Sequence, residues 1–204
     1  MSNVQFPMSN EGMFDIYLQE LIEWNKKFNL TAVKTPDEIR SRHFEDSLSV
    51  LEAVDLQDQV VADIGPGAGF PSLPLKIVRP GISLTLIEAT RKKAEFLKHI
   101  VSKLNLQNVE VVWGRAEQVS KDPRYSNVFD VVLARAVAKL PVLIGYAFPL
   151  LDQRGVLIAQ KQDDVSDEIK DSKPVLQKLG GKIKEIKKVK VSDITRSLVI
   201  VEKF

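Results

Sequence analysis

The sequence predicts an α/β protein built on a seven-stranded, mostly parallel sheet. Three observations carry this. From residue 60 onward, short apolar runs alternate with amphipathic stretches, the pattern of βαβ units with right-handed crossovers. Two strand-like runs follow one another at the end, so a C-terminal hairpin adds one antiparallel strand. Residues 1–58 show helical periodicity only, which sets an N-terminal helical extension ahead of a core at 59–204.

In residues 11–30, Phe14, Tyr17, Leu18, Leu21 and Ile22 form one helical stripe that Phe28 extends, with Asn29-Leu30-Thr31 as a frayed end. Trp24 shares that spacing, which points to packing rather than base stacking. Thr35-Pro36-Asp37-Glu38 is a capping box with proline at the first helical position. It should open a second helix running to about Val54, with Phe44, Leu48 and Leu51 turned inward. Val60 to Ile64 is a short buried strand, and the helix after it, with Leu73, Leu75, Ile77 and Val78, stops at Pro80-Gly81. Further strands are expected at Ser83 to Glu88, Val109 to Trp113, Phe129 to Ala134 and Gly155 to Ala159. Helices are expected at Thr90 to Leu104, at 139–151 despite its prolines, and at Asp164 to Leu179. Lys182 to Val191 and Ser197 to Lys203 supply the last two strands.

The 204 residues suffice for one sizeable domain with a real core. Cysteine is absent, which excludes disulfides, thiolate zinc sites and a cysteine nucleophile. The two histidines, His43 and His99, lie too far apart to read as a metal pair, so no metal is expected. Met1 to Asn10 has neither a basic nor an apolar leader segment. The nearly apolar run Leu140 to Leu151 is too short for a bilayer and contains Pro141 and Pro149. The expectation is a soluble, cytoplasmic protein with no membrane partner and, as a starting point, a monomer. With a formal net charge of only +2, any polyanion site must come from local clustering of Lys and Arg.

The strongest motif is Asp63-Ile64-Gly65-Pro66-Gly67-Ala68-Gly69-Phe70. A strand ends in alternating glycines and feeds a helix, so a ligand can approach bare main chain at a helix N-terminus. The spacing matches neither the dinucleotide fingerprint nor a Walker loop. Glu88 ends the second strand, where an acid can accept from both hydroxyls of a ribose. The third strand leads into Gly114-Arg115-Ala116-Glu117, where Glu117 is equally an acceptor for an adenine amino group or an exposed helix-start acid. Arg135 ends the fourth strand at the mouth of the same crevice. Together the glycine turn and Glu88 imply an adenosine-containing ligand.

This ordered set resembles the class I S-adenosylmethionine-dependent methyltransferase (Rossmann-like) fold. Further matches narrow the resemblance to the bacterial 16S rRNA guanine-N7 methyltransferases, the glucose-inhibited division protein B family. They are Trp24-Asn25, Asn29-Leu30-Thr31, His43 with Asp46-Ser47-Leu48, and Phe70-Pro71 with Pro74. Arg91-Lys92-Lys93 with Phe96-Leu97, Arg115-Ala116-Glu117 and Arg135-Ala136-Val137 complete the set. The resemblance implies methyl transfer to N7 of a guanine in the decoding-centre hairpin of 16S rRNA. It implies S-adenosyl-L-methionine as co-substrate, and 16S rRNA or the small ribosomal subunit as partner. It places cofactor contacts at Gly65, Phe70, Glu88, Ala89, Thr90, Ala116, Glu117 and Arg135, to which the glycine-turn motif itself adds Asp63, Gly67 and Gly69. A small-molecule methyltransferase on the same fold is the alternative, and a nucleotide-binding module without catalysis is a third reading.

His43, Asp46 and Ser47 share one helix face, and the expected role is rim or scaffold rather than a hydrolytic triad, for no nucleophile elbow is present. Arg91, Lys92 and Lys93 open a helix against its macrodipole, a placement that phosphates of RNA would reward and that a simply solvated face explains equally well. The lysines between Lys182 and Lys190 read instead as protection of an exposed sheet edge. Missing residues bear on the reaction too. No cysteine is available for pyrimidine C5 attack, and Arg135-Ala136-Val137-Ala138 stands where amine methylases of adenine carry an Asn/Asp-Pro-Pro-aromatic loop. Guanine N7 has a free lone pair and needs neither nucleophile nor base, so Arg135 is expected to position and no general base is expected.

Overall fold

The computed structural model describes residues 10–204, so the reading of the first residues as free of a leader lies outside the described residues. Seven strands form one sheet in the order β3-β2-β1-β4-β5-β7-β6. They are β1 (Val60–Ile64), β2 (Ser83–Glu88), β3 (Val109–Trp113), β4 (Phe129–Arg135), β5 (Leu151–Lys161), β6 (Gly181–Val191) and β7 (Ile194–Lys203). β1 to β5 pair in parallel, and β7 runs antiparallel between β5 and β6. The terminal hairpin therefore adds its antiparallel strand as expected.

The helices are α1 (Glu11–Phe28), α2 (Pro36–Ile39), α3 (Asp46–Leu48), α4 (Ser72–Val78), α5 (Arg91–Lys103), α6 (Ala116–Val119), α7 (Leu140–Ala147) and α8 (Ser166–Leu179). Strand alternation divides the core in two. Val61, Leu84, Leu86 and Leu133 join Phe14, Tyr17, Phe44, Leu73 and Phe96 of the N-terminal helices, α4 and α5. Ala62, Ile64, Val132 and Leu157 face Leu140, Leu143, Ile144 and Leu176 of α7 and α8. β6 forms the sheet edge, and four of its five lysines are answered within the fold. Lys182 and Lys184 each lie 3.2 Å from Glu202, Lys188 lies 2.6 Å from Asp163, and Lys187 donates to the Glu52 carbonyl.

Four local expectations need correction. The helix expected from the capping box to Val54 breaks into α2, a π-helical turn (Arg40–Glu45), α3 and a 3-10 turn (Ser49–Glu52). Serine hydroxyls compete for its carbonyls: Ser41 donates to Asp37, Ser47 to His43 and Ser49 to Asp46. The end of α1 is clamped, not frayed: Asn29 takes the left-handed conformation, and the Asn25 amide makes two 3.0 Å bonds to the Thr31 backbone. The stretch 139–151 is helical only to Ala147, and β5 begins at Leu151, well before Gly155. The short helix α6 after Arg115 has no periodicity long enough to announce it.

Candidate active site

The crevice starts where β1 meets the glycine turn. Gly69 holds φ +101°, and any Cβ there would overlap the Tyr17 hydroxyl and Leu73, so the turn packs tightly against α1 and α4. Tyr17 fixes it by donating 2.5 Å to the Ala68 carbonyl and stacking 5.6 Å from Phe70. Gly67 holds φ +62° with nothing within 4 Å of a would-be Cβ. The open side of the turn thus faces free space.

Glu88 is buried at the carboxyl end of β2, and its two oxygens divide their work. Oε2 accepts from Gly67 N at 3.0 Å and Oε1 from Thr90 N at 2.7 Å. Each oxygen keeps acceptor capacity for a further donor. Beside it opens a cavity of about 340 Å³, lined by Gly65, Glu88, Ala89, Lys93, Arg115, Ala116, Glu117, Val137 and Tyr146 among others. That volume lies in the range of small-molecule sites, at the strand ends where β1 and β4 adjoin. A Cβ on Gly65 would stand 2.8 Å from Val137 Cγ2, so Val137 lies directly across the turn.

The other expected cofactor residues stand behind this cavity. Asp63 is fully buried and accepts from Ser72 N at 3.3 Å, which ties β1 to the start of α4. Burial pushes its carboxyl well above the usual range. Phe70 is buried and stacks on the His43 ring at 4.4 Å. Arg135 crosses to the N-terminal helices: Nη1 lies 3.1 Å from Asp46 Oδ2, while Nη2 lies 3.0 Å from the Arg42 carbonyl and 2.9 Å from His43 Nδ1. Asp46 also meets Arg196 at 3.2 Å and the Gln160 amide at 2.9 Å. His43 Nε2 lies 2.7 Å from the Thr31 hydroxyl. His43 Nδ1 also lies 3.1 Å from the Arg42 carbonyl, so the neutral ring has a partner for either tautomer: Nδ1 accepts from Arg135 with the proton on Nε2, or donates to that carbonyl while Nε2 accepts from Thr31. Burial and the Arg135 charge lower the His43 pKa to about 4. The scaffold role expected for His43, Asp46 and Ser47 fits this geometry, while Arg196 and Gln160 lie too far along the chain to be read with them.

Comparison with known proteins bears on what this crevice serves. The family model described as GidB, rRNA small subunit methyltransferase G, matches residues 10–199. A ribosomal RNA small subunit methyltransferase G of Desulfitobacterium hafniense is 41% identical over 203 residues, covering 98% of this chain and 84% of the relative. The chain belongs to this family. A second member, from Thermoanaerobacter pseudethanolicus, is 41% identical over 193 residues, covering 93% of this chain and 80% of its own length. Among solved structures, TYW2 of M. jannaschii in complex with AdoMet superimposes with a TM-score of 0.58 at 20% identity, covering 77% of this chain and 74% of that one. That likeness supports the class I methyltransferase fold.

Of the basic residues on α5, the three expected to meet RNA, Arg91, Lys92 and Lys93, point to separate surroundings. Arg91 is bound to Glu95 at 2.9 Å and lies 5.6 Å from the centre of the Trp113 ring, which is 58% exposed. Lys92 sits 5.4 Å over Phe28, and Lys93 lines the cavity itself. Val137 and Ala138 complete the cavity wall from the Arg135-Ala136-Val137-Ala138 stretch, which the sequence does not mark as lining, and Tyr146 joins them with no motif to signal it; Ala136 before them holds φ +55°, a rare conformation for a residue with a Cβ.

Proposed function

We propose that this protein is a cytoplasmic enzyme that transfers the methyl group of S-adenosylmethionine to N7 of a guanine in the decoding-centre hairpin of 16S rRNA, its partner being that RNA or the small ribosomal subunit. The family match across residues 10–199 carries the reading. The crevice fits the co-substrate by its donor set: an open glycine turn, a strand-end carboxylate with spare acceptor capacity and a 340 Å³ cavity ending in Ala116-Glu117.

In this reading Glu88 accepts the ribose hydroxyls, Ala89 and Thr90 follow the sugar edge, and Ala116 with Glu117 faces the adenine. Gly65 and Gly67 admit the ligand to the main chain, while Asp63, Gly69 and Phe70 hold the turn in shape. Residues 10–58 act as the helical extension that backs the site, and 59–204 as the catalytic domain. When bound, S-adenosylmethionine supplies an electrophilic methyl carbon and receives the bonding electrons on sulfur, so no proton has to move. The chain's task is alignment. Arg135, locked by Asp46, the Arg42 carbonyl and neutral His43, positions the base at the end of β4. His43 is no general base, for both its ring nitrogens already have partners.

The test is the product. rRNA from a strain lacking this protein should lose one N7-methylguanine from the small subunit and regain it on complementation. An unchanged N7-methylguanine content would overturn the proposal.

A further inference from the structure

The loop that follows β4 forms one wall of the crevice through Ala136, Val137 and Ala138. Its local conformation alone gives it little to stay in place with. Ala136 is in the left-handed region, Val137 is 39% exposed and lies across Gly65, and the first turn of α7 begins only at Leu140. Its backbone is gripped from behind. Lys161, the last residue of β5, has a side chain only 10% exposed, and its Nζ donates to the Ala138 carbonyl at 2.6 Å. The Glu168 carboxylate, in the first turn of α8, accepts from Leu140 N at 2.5 Å. The two side chains are themselves paired at 2.7 Å. One ion pair thus holds a carbonyl and an amide on either side of Lys139 and closes the gap between β4, β5 and α8.

We propose that Lys161 and Glu168 are positioning residues, a latch that fixes the Ala136–Ala138 wall against which the target base is aligned. The inference rests on the proposed methyl transfer for its kinetic readout and on the geometry for the rest. Glu168 sits at a helix N-terminus, where its charge is favoured, and Lys161 is largely withdrawn from solvent, so the pair is screened little by salt. Val137 shares the Gly65 side of the cavity with the turn, while Glu88 on β2 and Glu117 on α6 belong to elements that neither Lys161 nor Glu168 contacts. Alignment, more than cofactor affinity, is what the latch should control.

The experiment compares the parent with Lys161→Met, Lys161→Arg and Glu168→Gln, using S-adenosylmethionine and small ribosomal subunits that lack the modification. Lys161→Met should slow single-turnover methyl transfer at saturating cofactor about 10- to 100-fold, the scale of a misplacement near 1 Å. Its cofactor Kd should move by less than about half a decade, and Lys161→Arg should keep most of the rate because it can bridge the same two partners. Glu168→Gln keeps an acceptor for Leu140 N while losing the charge, so it should fall between parent and Lys161→Met and serves if the latter does not fold. Amide exchange at Leu140 should accelerate in every variant that slows transfer. A folded Lys161→Met protein, or a Glu168→Gln protein standing in for it, that transfers methyl groups at the parent rate overturns the proposal. If the parent itself methylates no rRNA, the functional reading falls, and the latch is then judged on exchange alone: unchanged protection of Leu140 in the variants overturns it.

Discussion

Replacing Glu88 by glutamine keeps the side-chain length and removes a charge whose surroundings are fully specified. The carboxylate oxygens accept separately, Oε2 from Gly67 N at 3.0 Å and Oε1 from Thr90 N at 2.7 Å. A glutamine can offer an oxygen to only one of these amides, so its NH₂ group must face the other, donor against donor. A hydrogen bond to a charged group contributes about 1.5–3 kcal/mol, and Glu88→Gln loses one of these to the turn and weakens those offered to a ribose. Cofactor affinity should therefore fall by about one to two decades. Titration calorimetry with S-adenosylmethionine measures it, and thermal unfolding followed by circular dichroism separates lost binding from lost fold. Parent-like affinity in folded Glu88→Gln would refute the ribose role.

Gly67→Val should abolish cofactor binding in a folded protein, because its side chain would project from a φ of +62° into the open side of the turn; normal calorimetric affinity would sink the glycine-turn assignment. Arg135→Lys should reduce methyl transfer at least about tenfold, since a point charge cannot hold Asp46, Arg42 and His43 in one plane. Between neutral and mildly alkaline pH the single-turnover rate should stay flat, and a basic limb removed by mutating one nearby His, Asp or Glu would show that a base exists. His43 has its pKa lowered to about 4 from an unfolded value near 6.5, so its contribution to stability is full above about pH 6.5 and is lost as pH falls, amounting to about 3 kcal/mol by pH 4. Denaturant titrations of parent and His43→Asn at pH 7 and pH 4 measure that difference, and parallel losses in both would contradict it. Neutralising Arg91, Lys92 and Lys93 should flatten the log–log salt slope of RNA binding by about 0.7–0.9 for each phosphate they neutralise, and an unchanged slope with all three replaced returns them to a solvated face.

What the sequence made legible was what neighbours in the chain decide. The β1 strand, the glycine turn and Glu88 could be read because a buried strand, a turn of special backbone angles and a strand-end acid each leave a local pattern. The break in the second helix was half written in Ser41, Ser47 and Ser49, whose hydroxyls compete with the helical ladder, but the apolar stripe of Phe44, Leu48 and Leu51 hid it. The start of β5 was obscured because Leu151 closes an apolar run that reads as helix. Asp46 has its partners Arg135, Gln160 and Arg196 on three separate strands, and Lys161 meets Glu168 across a strand–helix junction. Such pairs have no spacing rule, so no single-sequence pattern could announce them.

The polar groups behind the crevice also bear on how the proposed methyl transfer would be specific without acid–base chemistry. Two arginines converge on the one buried carboxylate of Asp46, and the imidazole beside them is held neutral. Neither arginine can take up a proton, and the histidine has no lone pair left to offer, so the cluster is a poor base and a rigid frame. Methyl transfer to guanine N7 suits that frame. Positive charge passes from sulfur to the purine and no new charge appears, so little electrostatic stabilisation can be gained between ground state and transition state. What remains is orientation, and for the proposed reaction fixed groups would supply it: Arg135 pinned at three points, Phe70 stacked with both His43 and Tyr17, and the β4 loop held from behind by Lys161 and Glu168.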